Sequence, residues 1–146
     1  MGFALAGGIA LTLAIGLFAD TLALRPGKYQ KTSEWVMPGR PSRPPKKDSV
    51  CLNERDVKDL GGTVTNLREM TCKDSEHKVA GATTTFTRTC NGTDGSTFEV
   101  DLAMTVDSPE SYRGVATFKK VSGGPMKSLE GATNTTTAKR SGDCTK

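Results

Sequence analysis

The sequence predicts a mainly-β domain, a small antiparallel sheet that is curled or closed into a barrel, with one short helix and two disulfides. Apolar and polar residues alternate with a period of two in several short segments, which is typical of half-buried strands. Pairs of turn-forming Gly, Pro, Asn and Asp residues separate these segments. Thr, which favours strands, occurs three times in a row at residues 83–85 and 135–137.

The first twenty residues, MGFALAGGIALTLAIGLFAD, contain no charged side chain before Asp20. The apolar run is short for a membrane span and matches the apolar region of a secretory signal peptide. We therefore predict a signal peptide over residues 1–19, with cleavage after Ala19 or Ala23. Because no Lys or Arg precedes the run, either the signal is atypical or the true start lies upstream of Met1. An uncleaved membrane anchor is the alternative to a signal peptide.

The domain that follows, residues 24–144, begins with the turn signal Pro26–Gly27 and a strand. Alternation in this strand places Tyr29, Trp35 and Met37 on its inner face. Residues 39–49 then contain three prolines and four cations, with little to bury, which predicts a mobile basic loop. Such a loop could bind an acidic surface or a polyproline reader, but a solvated connection between strands is favoured.

One short helix is predicted after residue 52. Asn53 is a good N-cap, and Leu52, Val57 and Leu60 form an apolar stripe. Gly61–Gly62 ends the helix.

Hairpin strands are predicted from Cys72 to the end of the domain. The turn signals Ala80–Gly81, Asn91–Gly92 and Asp94–Gly95 separate the first of them. The alternating positions predict an inner face made of Phe86, Arg88, Cys90, Phe98, Val100, Leu102, Met104, Tyr112, Gly114, Ala116 and Phe118.

Four cysteines, Cys51, Cys72, Cys90 and Cys144, indicate two disulfides formed in an oxidising compartment. None of them has C-x-x-C spacing and the chain has a single histidine, His77, which argues against a zinc site. Three pairings exist, and we favour Cys51–Cys72 and Cys90–Cys144. The first pair closes the local loop around the helix, and the second joins strand ends that a closing barrel would bring together.

The sequence motifs of residues 24–144 resemble the domain-of-unknown-function family 3617, small secreted proteins of Gram-negative bacteria. The resemblance is carried by LRPGKY at the start, VCL before the helix, TRTCNG after an aromatic strand, SYRG in a later strand, and the closing KRSGDC. It implies a β-rich domain of the periplasm, and it implies no activity.

No catalytic, metal or cofactor motif stands out, so a non-enzymatic protein is expected. Because the aromatics fall on inner faces and are not interleaved with cations, nucleic-acid binding is not expected either. Two functions are left: a structural or interaction domain of the cell envelope, or a small barrel that binds an apolar small molecule. The aromatics that could line such a barrel are Tyr29, Trp35, Phe98 and Phe118. The first function is favoured, since a chain with only six aromatics after residue 20 needs nearly all of them for its core.

Overall fold

The computed structural model of the protein describes residues 23–61 and 70–145. The predicted signal peptide lies outside the described residues. The strands are β1 (Gly27–Val36), β2 (Lys46–Leu52), β3 (Met70–Asp74), β4 (Lys78–Ala80), β5 (Thr83–Gly92), β6 (Thr97–Ser108), β7 (Ser111–Ser122) and β8 (Thr133–Gly142). The helix α1 spans Glu54–Lys58, and a 3₁₀ helix spans Pro125–Leu129.

All eight strands belong to one antiparallel sheet, with the order β2-β1-β8-β7-β6-β5-β3 and with β4 beside β5. The mainly-β fold is therefore confirmed. Among the described strands, β2 and β3 form opposite edges and do not pair with each other, so the sheet is open. The closed barrel, which the sequence predicted as the other possible arrangement of this sheet, is not formed.

One face of the sheet carries the core, and the period-two pattern decides which side chains enter it. Strand β6 shows this most clearly, because Phe98, Val100, Leu102 and Met104 are all buried while the residues between them are half-exposed. Tyr112, Ala116 and Phe118 of β7 bury the same face next to them. The inner face predicted for these strands is confirmed.

Helix α1 is capped as the sequence predicts. The side chain of Asn53 accepts hydrogen bonds from the backbone N–H groups of Arg55 and Asp56, at 2.8 and 3.1 Å. The Asp56 carboxylate accepts a bond from the backbone N–H of Asn53 in return, at 3.0 Å, which completes a capping box. Leu52 and Leu60 are buried on either side of the helix. The described part of the chain contains no helix with the length and apolar character needed to cross a bilayer.

The prediction of a loop over residues 39–49 is wrong at the C-terminal end of that range. Irregular structure covers residues 37–45, and β2 begins at Lys46. The physical reason is that Pro45 is the last proline, so the following amides can pair with the edge of β1, where Lys46 lies opposite Ser33 and Asp48 opposite Lys31.

The predicted disulfide pairing is also wrong. The structure joins Cys51 to Cys144 and Cys72 to Cys90, with Cα–Cα distances of 5.7 and 4.1 Å. Cys51 lies on β2 and Cys144 follows β8, and these two strands flank β1. Cys72 and Cys90 are directly opposite each other on β3 and β5.

The expected pairs fail because the sheet does not close. Cys51 and Cys72 lie on its two opposite edges. Strands β5 and β8 are separated by β6 and β7, so Cys90 and Cys144 lie three strand spacings apart, about 14 Å. A disulfide needs a Cα–Cα distance of less than roughly 7 Å.

Two matched double variants test the observed pairing. We expect C51A/C144A to keep the Cys72–Cys90 bond and to show no free thiol when alkylated in denaturant without reductant. We expect C51A/C72A to leave two alkylatable thiols, because Cys90 and Cys144 cannot reach each other. Mass spectrometry counts the alkyl groups, and two free thiols in C51A/C144A would contradict the pairing. Loss of the Cys51–Cys144 bond should also lower the free energy of unfolding by about 2–4 kcal/mol.

Candidate functional site

A cleft of about 510 Å³ opens at the end of the sheet where β1 finishes and β2 begins. We call it the Trp35 cleft. It is lined by Ser33, Trp35, Met37, Arg40, Arg43, Pro44, Lys46, Ser128 and Leu129. Two smaller grooves, of about 330 and 400 Å³, are lined mostly by polar strand residues.

The two walls of the cleft come from different parts of the chain. One wall is the irregular segment 37–45 with the start of β2, and the other is the 3₁₀ helix that connects β7 to β8. Backbone hydrogen bonds tie this connection to β7, from Gly131 N–H to the Phe118 carbonyl at 2.8 Å and from Phe118 N–H to the Ala132 carbonyl at 2.9 Å. Gly131 has a φ of +78°, and an added Cβ would lie 2.9 Å from Pro38 Cγ, so glycine allows the two walls to approach closely.

Trp35 connects the cleft to the core. Its ring centroid is 5.7 Å from that of Phe118, which is in turn 5.9 Å from that of Phe98. Phe98 and Phe118 are buried, whereas Trp35 is only partly buried at the outer end of this row. Trp35 therefore presents an aromatic surface to the cleft that its neighbours hold in place.

The other three aromatics predicted to line a ligand site lie in the core. Phe98 and Phe118 are each 3% exposed and Tyr29 is fully buried. The Tyr29 hydroxyl donates a hydrogen bond to the Arg25 carbonyl at 2.6 Å, and its ring packs on Tyr112. Burial raises the pKa of Tyr29 above its usual value. The four residues are thus not brought together in one site, and only Trp35 lines the cleft.

Three cations, Arg40, Arg43 and Lys46, lie at the rim of the cleft, and all three are exposed. The ammonium group of Lys46 is 3.9 Å from the Asp48 carboxylate. Within the described residues, no carboxylate lies within ion-pair distance of Arg40 or Arg43. The cleft therefore combines an apolar surface with positive charge at its rim.

A buried polar row runs beside the cleft. The hydroxyls of Ser33 and Thr136 are 3.4 Å apart, and Thr136 donates a hydrogen bond to the Asn134 side-chain oxygen at 3.1 Å. Asn134 and Thr136 are buried on β8. The side chains of Ser33, Thr136 and Asn134 therefore form hydrogen bonds to one another beneath the cleft.

A second candidate site is the cluster around Arg88, a buried cation on β5. Its guanidinium donates hydrogen bonds to both oxygens of Asp74, at 2.6 and 2.8 Å, and to Asp59 at 3.0 Å. It also lies over the Phe86 ring, 5.5 Å from the centroid. These contacts join β5, β3 and the end of α1, so the cluster has a structural role.

The electrostatics of this cluster follow from the same contacts. The hydrogen bond from Arg88 is the largest cause of an Asp74 pKa below its usual value, although partial burial acts in the opposite direction. His77 lies near this pair, with Nε2 3.5 Å from an Asp74 oxygen and its ring stacked on Phe86 at 4.2 Å. His77 is half-exposed and takes part in the packing of the cluster.

Glu99 and Asp101, acidic residues of β6 on the outer sheet face, form ion pairs. Asp101 accepts a hydrogen bond from the Thr87 hydroxyl at 2.8 Å and pairs with Lys119, and Glu99 pairs with Lys120. Over residues 23–61 and 70–145, no group of three or more His, Cys, Asp or Glu side chains is arranged to hold a metal ion.

Sequence reasoning identified some residues of the cleft and missed others. The alternation of β1 indicated Trp35 and Met37, and the charge run indicated the cations, but as part of a solvated loop. Ser128 and Leu129 gave no signal, because a short 3₁₀ helix has no period of its own. The feature that could have pointed to them is an apolar residue, Leu129, four positions after the turn Gly123–Gly124–Pro125 and before the last strand.

Comparison with protein-family models matches residues 24–144 to the family described as Protein of unknown function (DUF3617). Comparisons with curated proteins and with solved structures find no match.

The Arg88 cluster predicts how stability depends on charge and pH. Replacing Arg88 with Met leaves Asp74 and Asp59 without their buried partner, and we expect the free energy of unfolding to fall by about 3 kcal/mol in urea denaturation. The control Arg113→Met removes an exposed ion pair with Asp107 and should cost less than about 1 kcal/mol.

Asp74→Asn tests the sign of the pH effect. Because the folded-state pKa of Asp74 is depressed, its charge stabilises the protein above the unfolded pKa, and this contribution is lost as the pH falls through the folded pKa. The difference in unfolding free energy between the wild type and Asp74→Asn should therefore be greatest near neutral pH and shrink below about pH 4. A difference that grows on acidification would contradict the assignment.

Proposed function

The chain belongs to DUF3617, a family of proteins of unknown function, and we propose that it is a non-catalytic binding domain of the bacterial periplasm. In this proposal the Trp35 cleft holds a small molecule with an apolar body. The protein serves the cell envelope by binding, and it performs no chemistry on the ligand.

The observation that carries the proposal is the position of Trp35. The sequence favours a purely structural or interaction domain because so few aromatics are available for the core. The core uses Tyr29, Phe98 and Phe118 but leaves Trp35 partly exposed beside a cleft of about 510 Å³. Ligand sites occupy about 300–1,000 Å³ and are lined by aromatic and apolar side chains with a few polar groups.

The proposed compartment is supported by the two disulfides. All four cysteines are paired, and such bonds persist in oxidising compartments such as the periplasm. The Cys51–Cys144 bond fixes the C-terminal segment to β2, which is the kind of link that an exported domain with a lean core needs. Export through the predicted signal peptide belongs to the same proposal.

The non-catalytic role is supported by what the ionisable groups already do. Asp74 and Asp59 bind Arg88, and Asp101 binds Thr87 and Lys119. These carboxylates hold strands together on faces that do not line the Trp35 cleft.

Native mass spectrometry of the protein purified from a periplasm tests the proposal. The mass after denaturation without reductant gives the cleavage site, expected after Ala19 or Ala23, and shows whether four thiol hydrogens are missing. We expect the native mass to exceed the denatured mass by a discrete small-molecule increment.

A matched pair of variants locates the bound molecule. Leu129→Gln makes one wall of the cleft polar and should reduce the bound fraction at least several-fold. Val36→Gln introduces the same side chain at a 61%-exposed position that does not line the cleft, and it should retain the ligand. Equal native and denatured masses, together with no change of Trp35 fluorescence on adding either laurate or 1-monolaurin, would reject the binding role and leave a structural or interaction domain.

A further inference from the structure

We propose that the ligand of the Trp35 cleft is an anionic amphiphile with a single acyl chain. Its head group binds Arg40 and Arg43, and its chain lies against Trp35, Met37 and Leu129. This inference rests on the proposed function and specifies the chemical class of the ligand.

The first argument is the contrast between the arginines of this chain. Four arginines pair with carboxylates: Arg25 with Glu110, Arg88 with Asp59 and Asp74, Arg113 with Asp107, and Arg140 with Asp143. Within the described residues, Arg40, Arg43 and Arg55 have no such partner, and of these three only Arg40 and Arg43 line the cleft. An anion in the cleft would supply the missing charge, because guanidinium groups bind carboxylate and phosphate oxygens through two parallel hydrogen bonds.

The second argument is the distribution of charged and apolar side chains between the walls of the cleft. The three cations all come from the segment 37–45 and the first residue of β2. Leu129 comes from the opposite wall, Trp35 comes from β1 between the walls, and Met37 directly follows β1 at the start of the cation-bearing segment. A ligand that fits this lining has one charged end and one apolar end.

The third argument concerns size and the number of chains. A cleft of about 510 Å³ with three large apolar side chains suits one acyl chain. Val36, next to Trp35, is 61% exposed but does not line the cleft, so the apolar surface does not extend over a wide patch. Contact with a membrane surface would be expected to use a larger exposed apolar area.

Lys46 is expected to contribute less than Arg40 and Arg43 to binding of the anionic head group. Its ammonium group is near the Asp48 carboxylate, which also lies 3.7 Å from the Lys31 ammonium group. Its charge is therefore partly neutralised within the protein. The neighbouring Lys47 lies on the same strand but points to the other face of the sheet, as strand alternation requires.

Fluorescence titration tests the inference, since Trp35 is the single tryptophan of the chain and reports directly from the cleft. The probes are laurate and dodecyl phosphate as anions, 1-monolaurin as the neutral analogue and dodecyltrimethylammonium as the cation, each below its micelle concentration. We expect the anions to bind about tenfold more tightly than 1-monolaurin, and the cation to bind most weakly. Added salt should weaken anion binding and leave 1-monolaurin unchanged.

The variant R40S/R43S should weaken laurate binding about tenfold and leave 1-monolaurin binding unchanged. The matched control R55S/K58S removes two positive charges from exposed positions on α1 that do not line the cleft, and it should bind laurate as the wild type does.

K46S and K47S form a second matched pair, in which K46S should weaken laurate binding more than K47S does. Circular dichroism should show that R40S/R43S folds, because both arginines lie in irregular structure. If it does not fold, R40K/R43K keeps the charge and removes the paired hydrogen bonds, and it should still weaken laurate binding.

The outcomes separate this inference from the proposed function. Equal affinities for laurate and 1-monolaurin, or an equal loss in R55S/K58S and R40S/R43S, would overturn the anionic head group and leave the binding role standing. No binding of any of these probes would overturn both. Tighter binding of either anion than of 1-monolaurin supports the inference, and the tighter of the two anions identifies the head group as carboxylate or phosphate.

Discussion

The pairing of the first strand with the last is the constraint on which the rest of this structure depends. Strand β1 pairs with β8 from Lys28 to Val36, which joins segments from opposite ends of the domain. Such a pairing carries a large loop-closure cost, and the Cys51–Cys144 bond reduces it by linking the two neighbours of β1. Gly27 allows the start of β1 to lie close to Arg140 of β8. An added Cβ would lie 2.5 Å from Arg140 Nε, the atom that donates a hydrogen bond to the Pro26 carbonyl.

The Trp35 cleft is a consequence of this pairing. Strand β1 continues to Val36 along β8, which places Trp35 opposite Asn134 and close to the connection between β7 and β8. Trp35 then packs on Phe118 at the outer end of an aromatic row. The segment that follows must turn back to form β2, and in doing so it carries Arg40 and Arg43 past the exposed side of Trp35.

The opposite edge of the sheet also has a disulfide, and there a buried ion-pair cluster takes the place of apolar packing. Strand β3 is short and mostly exposed, so apolar burial contributes little there. The Cys72–Cys90 bond and the hydrogen bonds from Arg88 to Asp74 hold β3 to β5 instead. A disulfide thus supports each edge of the sheet, the Arg88 ion pairs add to it at β3, and the aromatic core supports the centre of the sheet.

The sequence by itself determined most of the strands, the capped helix and the family, whereas β2 fell partly in a predicted loop. Alternation fixes which side chains share a face, as in Phe98 to Met104, and a cap such as Asn53 acts through its nearest neighbours. Only the tertiary structure decided strand order, and with it the disulfide pairing and the cleft. The cysteine pairs depend on which strands are adjacent, and Trp35 meets Arg43 and Leu129 only after distant segments have packed together. No local pattern encodes such contacts, because they arise from the balance between burying one face of the sheet and closing long loops.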